Sequence, residues 1–180
     1  TARHLLPAVG KAGGVKLRWV VSRGGTSSGA VGRKFGFTQA GSAVDEVWKD
    51  EETDVVFITT PHSSHGEYVA EALSAGKHVF VEKPLSLKYQ EGLQLVNLAD
   101  REGRILMVGH ILEYHGAVKA LKEVVASQEL GQLLYLYSNR ANLGKVRQEE
   151  NILWSFAPHD ISVISNLVGE EPLSVTASGG

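Results

Sequence analysis

The sequence predicts an α/β protein built on a doubly wound parallel sheet, followed by the start of a second α/β domain. Three observations carry this. Short apolar runs recur between Leu17 and Val108, and stretches with apolar residues at helical spacing separate them. The run Asp54-Val55-Val56-Phe57-Ile58 is also apolar on both faces, as expected for a central parallel strand.

Taken in order, Leu5, Leu6 and Val9 mark a helix over Ala2 to Ala12, stopped by Gly13-Gly14. Leu17 to Val21 reads as a buried strand, left through Ser22-Arg23-Gly24-Gly25. The glycine-rich tract Gly24 to Gly32 is read as a flexible connection, with a short helix running through Lys34. Val44 to Lys49 is a helical piece, and the strand at Asp54 to Ile58 ends at Thr59-Thr60-Pro61. A helix over Ser64 to Ala75, closed by Gly76, precedes a strand from His78 to Val81 that stops at Glu82-Lys83-Pro84. Lys88 to Arg101 follows as a helix with Leu95, Leu98 and Ala99 on one face, and Ile105 to Val108 as a strand. After Gly109 the character changes: a helix over Ala117 to Ala126, a strand from Leu133 to Tyr137, a polar stretch from Asn139 to Asn151, a helix from about Asp160 and the start of a strand at Leu173. The boundary is placed near Glu113, giving domains over 1–112 and 113–180.

Composition limits the chemistry. The chain of 180 residues has a formal net charge of -2, which offers no general attraction for nucleic acid. No apolar run approaches the roughly 18 residues of a membrane span, and no secretory leader pattern is present. The expected setting is soluble and cytoplasmic. With no cysteine, disulfides, thiolate nucleophiles and cysteine-held metal centres are excluded, so His, Lys, carboxylates and hydroxyls carry any reaction. His62 and His65 lack a defined third metal ligand, and no G-x-S-x-G elbow surrounds Ser63 or Ser64. No metal site is expected.

The most specific segments are Thr60-Pro61-His62-Ser63-Ser64-His65 and Ala75-Gly76-Lys77-His78-Val79-Phe80-Val81-Glu82-Lys83-Pro84. Together, in this order and separation, they resemble the Gfo/Idh/MocA family of nicotinamide-dependent oxidoreductases. The resemblance implies a Rossmann-type domain in which Thr60, Pro61 and His65 lie along the nicotinamide side of the crevice and Lys83 is the active-site lysine. Lys83 also follows a parallel strand at the edge where such sheets bind ligands, and the proline after it restricts its backbone. Its ammonium can polarise a substrate oxygen, with Glu82 orienting it or lying beside the cofactor.

Trp154-Ser155-Phe156-Ala157-Pro158-His159-Asp160 stands at the expected start of a helix. Family members often carry Asp-x-x-x-His here, which implies that His159 exchanges the proton. This chain has Ser155 in place of the aspartate. An imidazole suits reversible proton transfer near neutral pH. Asp160 is read as a helix cap or a substrate contact. His110, after the strand ending at Val108, is a further substrate candidate, with Tyr114 and His115 behind it. Arg140, Lys145 and Arg147 are suited to a carboxylate or pyrophosphate of a sugar-acid or nucleotide-sugar substrate, the branch of the family that this stretch resembles.

A dinucleotide fold opens with a strand and a glycine turn that brings backbone N–H groups to a pyrophosphate. Neither is found, and both are expected upstream of Thr1; the end of the chain likewise reads as a strand without its partner. Ser22-Arg23 stands where this fold reads the adenosine ribose. An acidic residue would suit NAD, whereas serine and arginine favour the 2'-phosphate of NADP. The expected function is hydride transfer between NAD(P) and a sugar or nucleotide-sugar hydroxyl or carbonyl, with a homo-oligomer as the expected assembly. The rival reading is a nucleotide-binding or regulatory protein that keeps the fold without catalysis.

Overall fold

The computed structural model describes residues 5–141 and 152–179. It divides into two compact units, Thr1–Val108 and Gly109–Gly180.

The first unit alternates helix and strand: α1 (Leu5–Lys11), β1 (Trp19–Val21), α2 (Thr26–Phe35), β2 (Gln39–Gly41), α3 (Asp45–Lys49), β3 (Val55–Ile58), a 3-10 turn (His62–Ser64), α4 (His65–Ser74), β4 (His78–Val81), α5 (Tyr89–Glu102) and β5 (Leu106–Val108). All strand pairs are parallel. β1 pairs with β2, Trp19 opposite Gln39 and Val21 opposite Gly41. β3, β4 and β5 form a second sheet in that order, with Ile58 opposite Val81 and Val81 opposite Val108. Each crossover contains a helix, as parallel pairing requires.

The core follows from strand alternation and helix faces. Ile58, Val79 and Val81 point to one side of the three-stranded sheet and meet Val69, Ala72 and Leu73 of α4 and Leu95 and Ala99 of α5. The other side also carries apolar side chains: Val55 is 47% exposed and Phe57 43%, its ring centroid 5.3 Å from that of Phe80. β3 is thus apolar on both faces as expected, yet β4, not β3, is central to this sheet among the described residues.

Two further readings are corrected here. The tract Gly24 to Gly32 is largely ordered as α2, which packs on β1 and β2. Gly32 is buried there, and a Cβ on it would sit 3.0 Å from that of Ala40. The helix lies so close to the strands that a side chain on Gly32 would crowd Ala40. β2 was not anticipated, since Gln-Ala-Gly has no β-branched or aromatic residue and becomes a strand through its pairing with β1.

The second unit contains a 3-10 turn (Ile111–Tyr114), α6 (Gly116–Ser127) and α7 (Ile152–Val168), which pack on one another. The strands expected at Leu133 to Tyr137 and from Leu173 are not formed: both segments are without ladder partners among the described residues. Apolar alternation makes a strand only when a neighbour accepts its hydrogen bonds. α7 begins well before Asp160 and runs through Pro158, which lacks the N–H of a helical bond. No helix of the described residues is long and apolar enough to cross a membrane.

Candidate functional site

The register of β3 and β4 brings their C-terminal ends together. The last bond between them runs from the Glu82 N–H to the Ile58 carbonyl at 2.9 Å, and beyond it the loops Thr59-Thr60-Pro61 and Lys83-Pro84-Leu85 separate. Lys83 is half-buried, Pro84 is buried, and the peptide bond between them is cis. The Lys83 loop is anchored farther on by Ser86, whose hydroxyl accepts from the Lys88 N–H at 2.9 Å and donates to Glu91 of α5. On the neighbouring loop Ser64 Oγ lies 2.8 Å from Thr60 Oγ1 and 2.9 Å from the Pro61 carbonyl.

His65 opens α4 and is fully buried. Its Nδ1 is 2.7 Å from the Pro84 carbonyl and its Nε2 3.0 Å from the Thr60 carbonyl. Both nitrogens are thereby directed at backbone oxygens and not at a metal. Its ring centroid lies 5.5 Å from that of His62. A Cβ on Gly66 would fall 2.6 Å from the Glu91 carboxylate, so the first turns of α4 and α5 meet at a glycine.

At the end of β1, Ser22 Oγ accepts from the Ser28 N–H at 3.1 Å and from Ser27 Oγ at 2.7 Å. This serine therefore caps α2 from outside, while Arg23 is exposed beside it. The opposite ends of the strands meet at Asp50, which sequence reasoning did not single out. Its carboxylate accepts from Arg18 Nη2 at 2.7 Å, Arg18 Nε at 3.0 Å, Trp19 Nε1 at 3.1 Å and Thr53 Oγ1 at 2.6 Å. The Lys77 ammonium donates to its backbone carbonyl at 2.7 Å. Hydrogen bonds from Arg18 and then Thr53 hold the Asp50 carboxyl far below the usual carboxylate range. The knot joins the N-terminal ends of β1, β3 and β4, leaving the opposite, C-terminal ends to carry the motifs.

In the second unit, His110 is half-buried ahead of the 111–114 turn, and its carbonyl accepts from the Glu113 N–H at 3.0 Å. Tyr114 is exposed beneath the Lys119 ammonium, and His115 Nδ1 accepts from the Ala117 N–H at 3.2 Å at the start of α6. His159 and Asp160 lie inside α7, so Asp160 is not its N-cap, because the helix starts at Ile152. Asp160 instead accepts from Arg140 Nε at 2.8 Å and Nη2 at 2.9 Å and from Ser138 Oγ at 3.0 Å. The Arg140 hydrogen bond lowers the Asp160 carboxyl below its ordinary range. Arg140 also lies 6.0 Å from the Phe156 ring centroid, so its fork faces Asp160, and an anionic substrate would have to compete with that carboxylate. Lys145 and Arg147 lie outside the described residues.

The donor set suits a dinucleotide: hydroxyls of Ser22 and Thr60, the guanidinium of Arg23 and the ammonium of Lys83 all follow C-terminal ends of parallel strands. Comparison with known proteins points the same way. The chain is 29% identical over 154 residues to scyllo-inositol 2-dehydrogenase (NAD(+)) of Bacillus subtilis, covering 83% of this chain and 45% of that protein. It is 29% identical over 148 residues to 2,7-anhydro-N-acetylneuraminate hydratase of Mediterraneibacter gnavus, with 76% and 39% covered. A crystal structure of an NAD-binding oxidoreductase from Klebsiella pneumoniae matches with a TM-score of 0.73 and 25% identity, covering 86% of this chain and 44% of that one. The chain thus spans less than half the length of each of these relatives. The profile of the Gfo/Idh/MocA oxidoreductase family, NAD-binding Rossmann fold, matches residues 1–110, and this chain belongs to that family.

Proposed function

We propose that residues 1–112 carry the cofactor and residues 113–180 begin the substrate domain of an NAD(P)-dependent dehydrogenase or reductase acting on CH–OH groups of a sugar, cyclitol or nucleotide sugar. The observation that carries this reading is the half-buried Lys83 at the end of β4, beside the Thr60–Pro61 loop at the end of β3. The nicotinamide, when bound, takes or returns the hydride. The protein's own part is to orient and to manage one proton. Lys83 donates a hydrogen bond to the reacting oxygen and stabilises the negative charge that it carries as the hydroxyl proton leaves in oxidation, or as the C–H bond forms in reduction. His159 receives the hydroxyl proton in oxidation and returns it in reduction. Thr60 and Pro61 lie along the nicotinamide side, Arg23 reads the ribose end and favours NADP, and His110 faces the substrate.

Lys83→Ala tests this. Turnover of scyllo-inositol or UDP-N-acetylglucosamine, followed by NAD(P)H absorbance, should fall by about 100-fold or more, with the melting midpoint nearly unchanged. Wild-type turnover in that variant would reject the mechanism. The hydratase relative favours a second reading, loss or addition of water on a sugar. Substrate consumed on such a sugar without net change in NAD(P)H would support it over the dehydrogenase.

A further inference from the structure

His65 is bound to both loops of the candidate site by its ring. The Pro84 carbonyl, one residue beyond Lys83, lies 2.7 Å from Nδ1, and the Thr60 carbonyl lies 3.0 Å from Nε2. These contacts fall past the last ladder bond between β3 and β4, where the backbone no longer holds the loops together. The ring and Pro84 are both buried, so water does not compete for the bond between them, whereas the Thr60 side is only part-buried. In a neutral ring one nitrogen donates, and with a proton on each both do. On its far side the Lys83 loop is held by Ser86 to the first turn of α5, whose Glu91 packs against Gly66, the residue after His65.

We propose that His65 is a positioning residue: a crossbar between the Thr60–Pro61 loop and the Lys83 loop that fixes where the Lys83 ammonium stands relative to the nicotinamide side. Its action on catalysis rests on the dehydrogenase reading above, whereas its action on the loop does not. The ring is enclosed and its two nitrogens face the backbone, so it works through Pro84 and Thr60 and not by touching a ligand. The bond to Pro84 is the one that matters for Lys83, since it holds the adjacent peptide.

Two isosteres separate the halves of the crossbar. Asparagine places an amide N–H near the position of Nδ1 and keeps the Pro84 side; glutamine places one near Nε2 and keeps the Thr60 side. Hydrogen exchange of the amides from Glu82 to Lys88 is the first readout. His65→Gln should exchange about 10-fold faster there than wild type, and His65→Asn close to wild type, with β3, β4 and β5 equally protected in both. The second readout is kinetic, with scyllo-inositol or UDP-N-acetylglucosamine as substrate and NADP+ or NAD+ as cofactor. His65→Gln should lose about 10- to 100-fold in kcat with little change in the cofactor KM, and His65→Asn should recover most of it. Equal exchange in the two variants overturns the proposal, as does an equal loss of kcat. If the exchange pattern appears but Lys83→Ala keeps full turnover, the crossbar stands and the catalytic reading of Lys83 falls. Because the comparison is between two donor-bearing variants, it holds even where His65→Ala does not fold.

Discussion

Asp50 shows how much one residue outside any motif decides. It gathers Arg18, Trp19 and Thr53 on its carboxylate and Lys77 on its carbonyl. Its carboxyl is held far below the unfolded value, first by the Arg18 hydrogen bond. A group whose pKa is lower in the folded state stabilises the fold at pH above its unfolded pKa, about 3.9 for aspartate, and loses that contribution as pH falls toward the folded value. The melting midpoint should therefore drop as pH falls below about 4, and Asp50→Asn should melt lower at pH 7 and show a flatter acid limb. An acid limb as steep as wild type in that variant would mean that other carboxylates, Asp160 among them, govern acid unfolding. The same residue scale explains Arg140. Chosen from sequence for a substrate anion, it meets an anion supplied by the chain itself.

Among the elements, α2 and α7 are the ones in which packing overrides local signals. Glycines at 24, 25, 29 and 32 suggest a loop, because each costs helix stability relative to alanine. The helix forms because its buried face, Ser28 and Gly32, lies directly on β1 and β2: Ser28 Oγ reaches the Gly41 carbonyl at 2.8 Å, and a Cβ on Gly32 would stand 3.0 Å from that of Ala40. Gly32→Val should thus lower stability by about 1–3 kcal/mol in denaturant titration, despite removing a poor helix former. A stabilised variant would show that α2 can move away from the strands at no cost. In α7 a proline that should stop a helix is carried inside it. Ser162 and Asn166 of this helix both donate to Glu113, and Lys122 of α6 donates to Asn166, so the part of the helix beyond the proline is bound by its neighbours.

At the scale of the whole molecule, the first unit holds the sheet edge, the two motif loops and the C-terminal end of β1. A ligand that binds only this folded unit raises its stability by mass action, by about 2.7 kcal/mol at about 100 times Kd. Ser22 Oγ accepts from α2, whereas the Arg23 guanidinium is exposed, and in the reading proposed above it is the group that meets a 2'-phosphate. Thermal melts with NADPH should therefore shift more than melts with NADH, and Arg23→Ala should equalise them. A larger shift with NADH in the wild-type chain would reverse the cofactor preference proposed here.

The sequence by itself determined the order of elements in the first unit, β2 excepted, and the position of its two motif loops. Those features are local: β-branched runs, glycine stops and the motifs around Thr60 and Lys83 are written in consecutive residues. It placed β4 at His78 to Val81, where the structure has it. What only the tertiary structure decided depends on partners far along the chain. β2 exists because β1 accepts it, whereas Leu133 to Tyr137 meets no strand among the described residues and forms none. His65 was legible as a motif residue, but its contact with Pro84, across 19 positions, was not. Asp50 was not singled out, since of its side-chain partners only Thr53 is near in sequence and Arg18, Trp19 and Lys77 are distant, whereas a spacing rule reads only neighbours. Hydrogen bonds between distant residues are fixed by the packing of the elements that carry them, and that packing is a property of the folded chain.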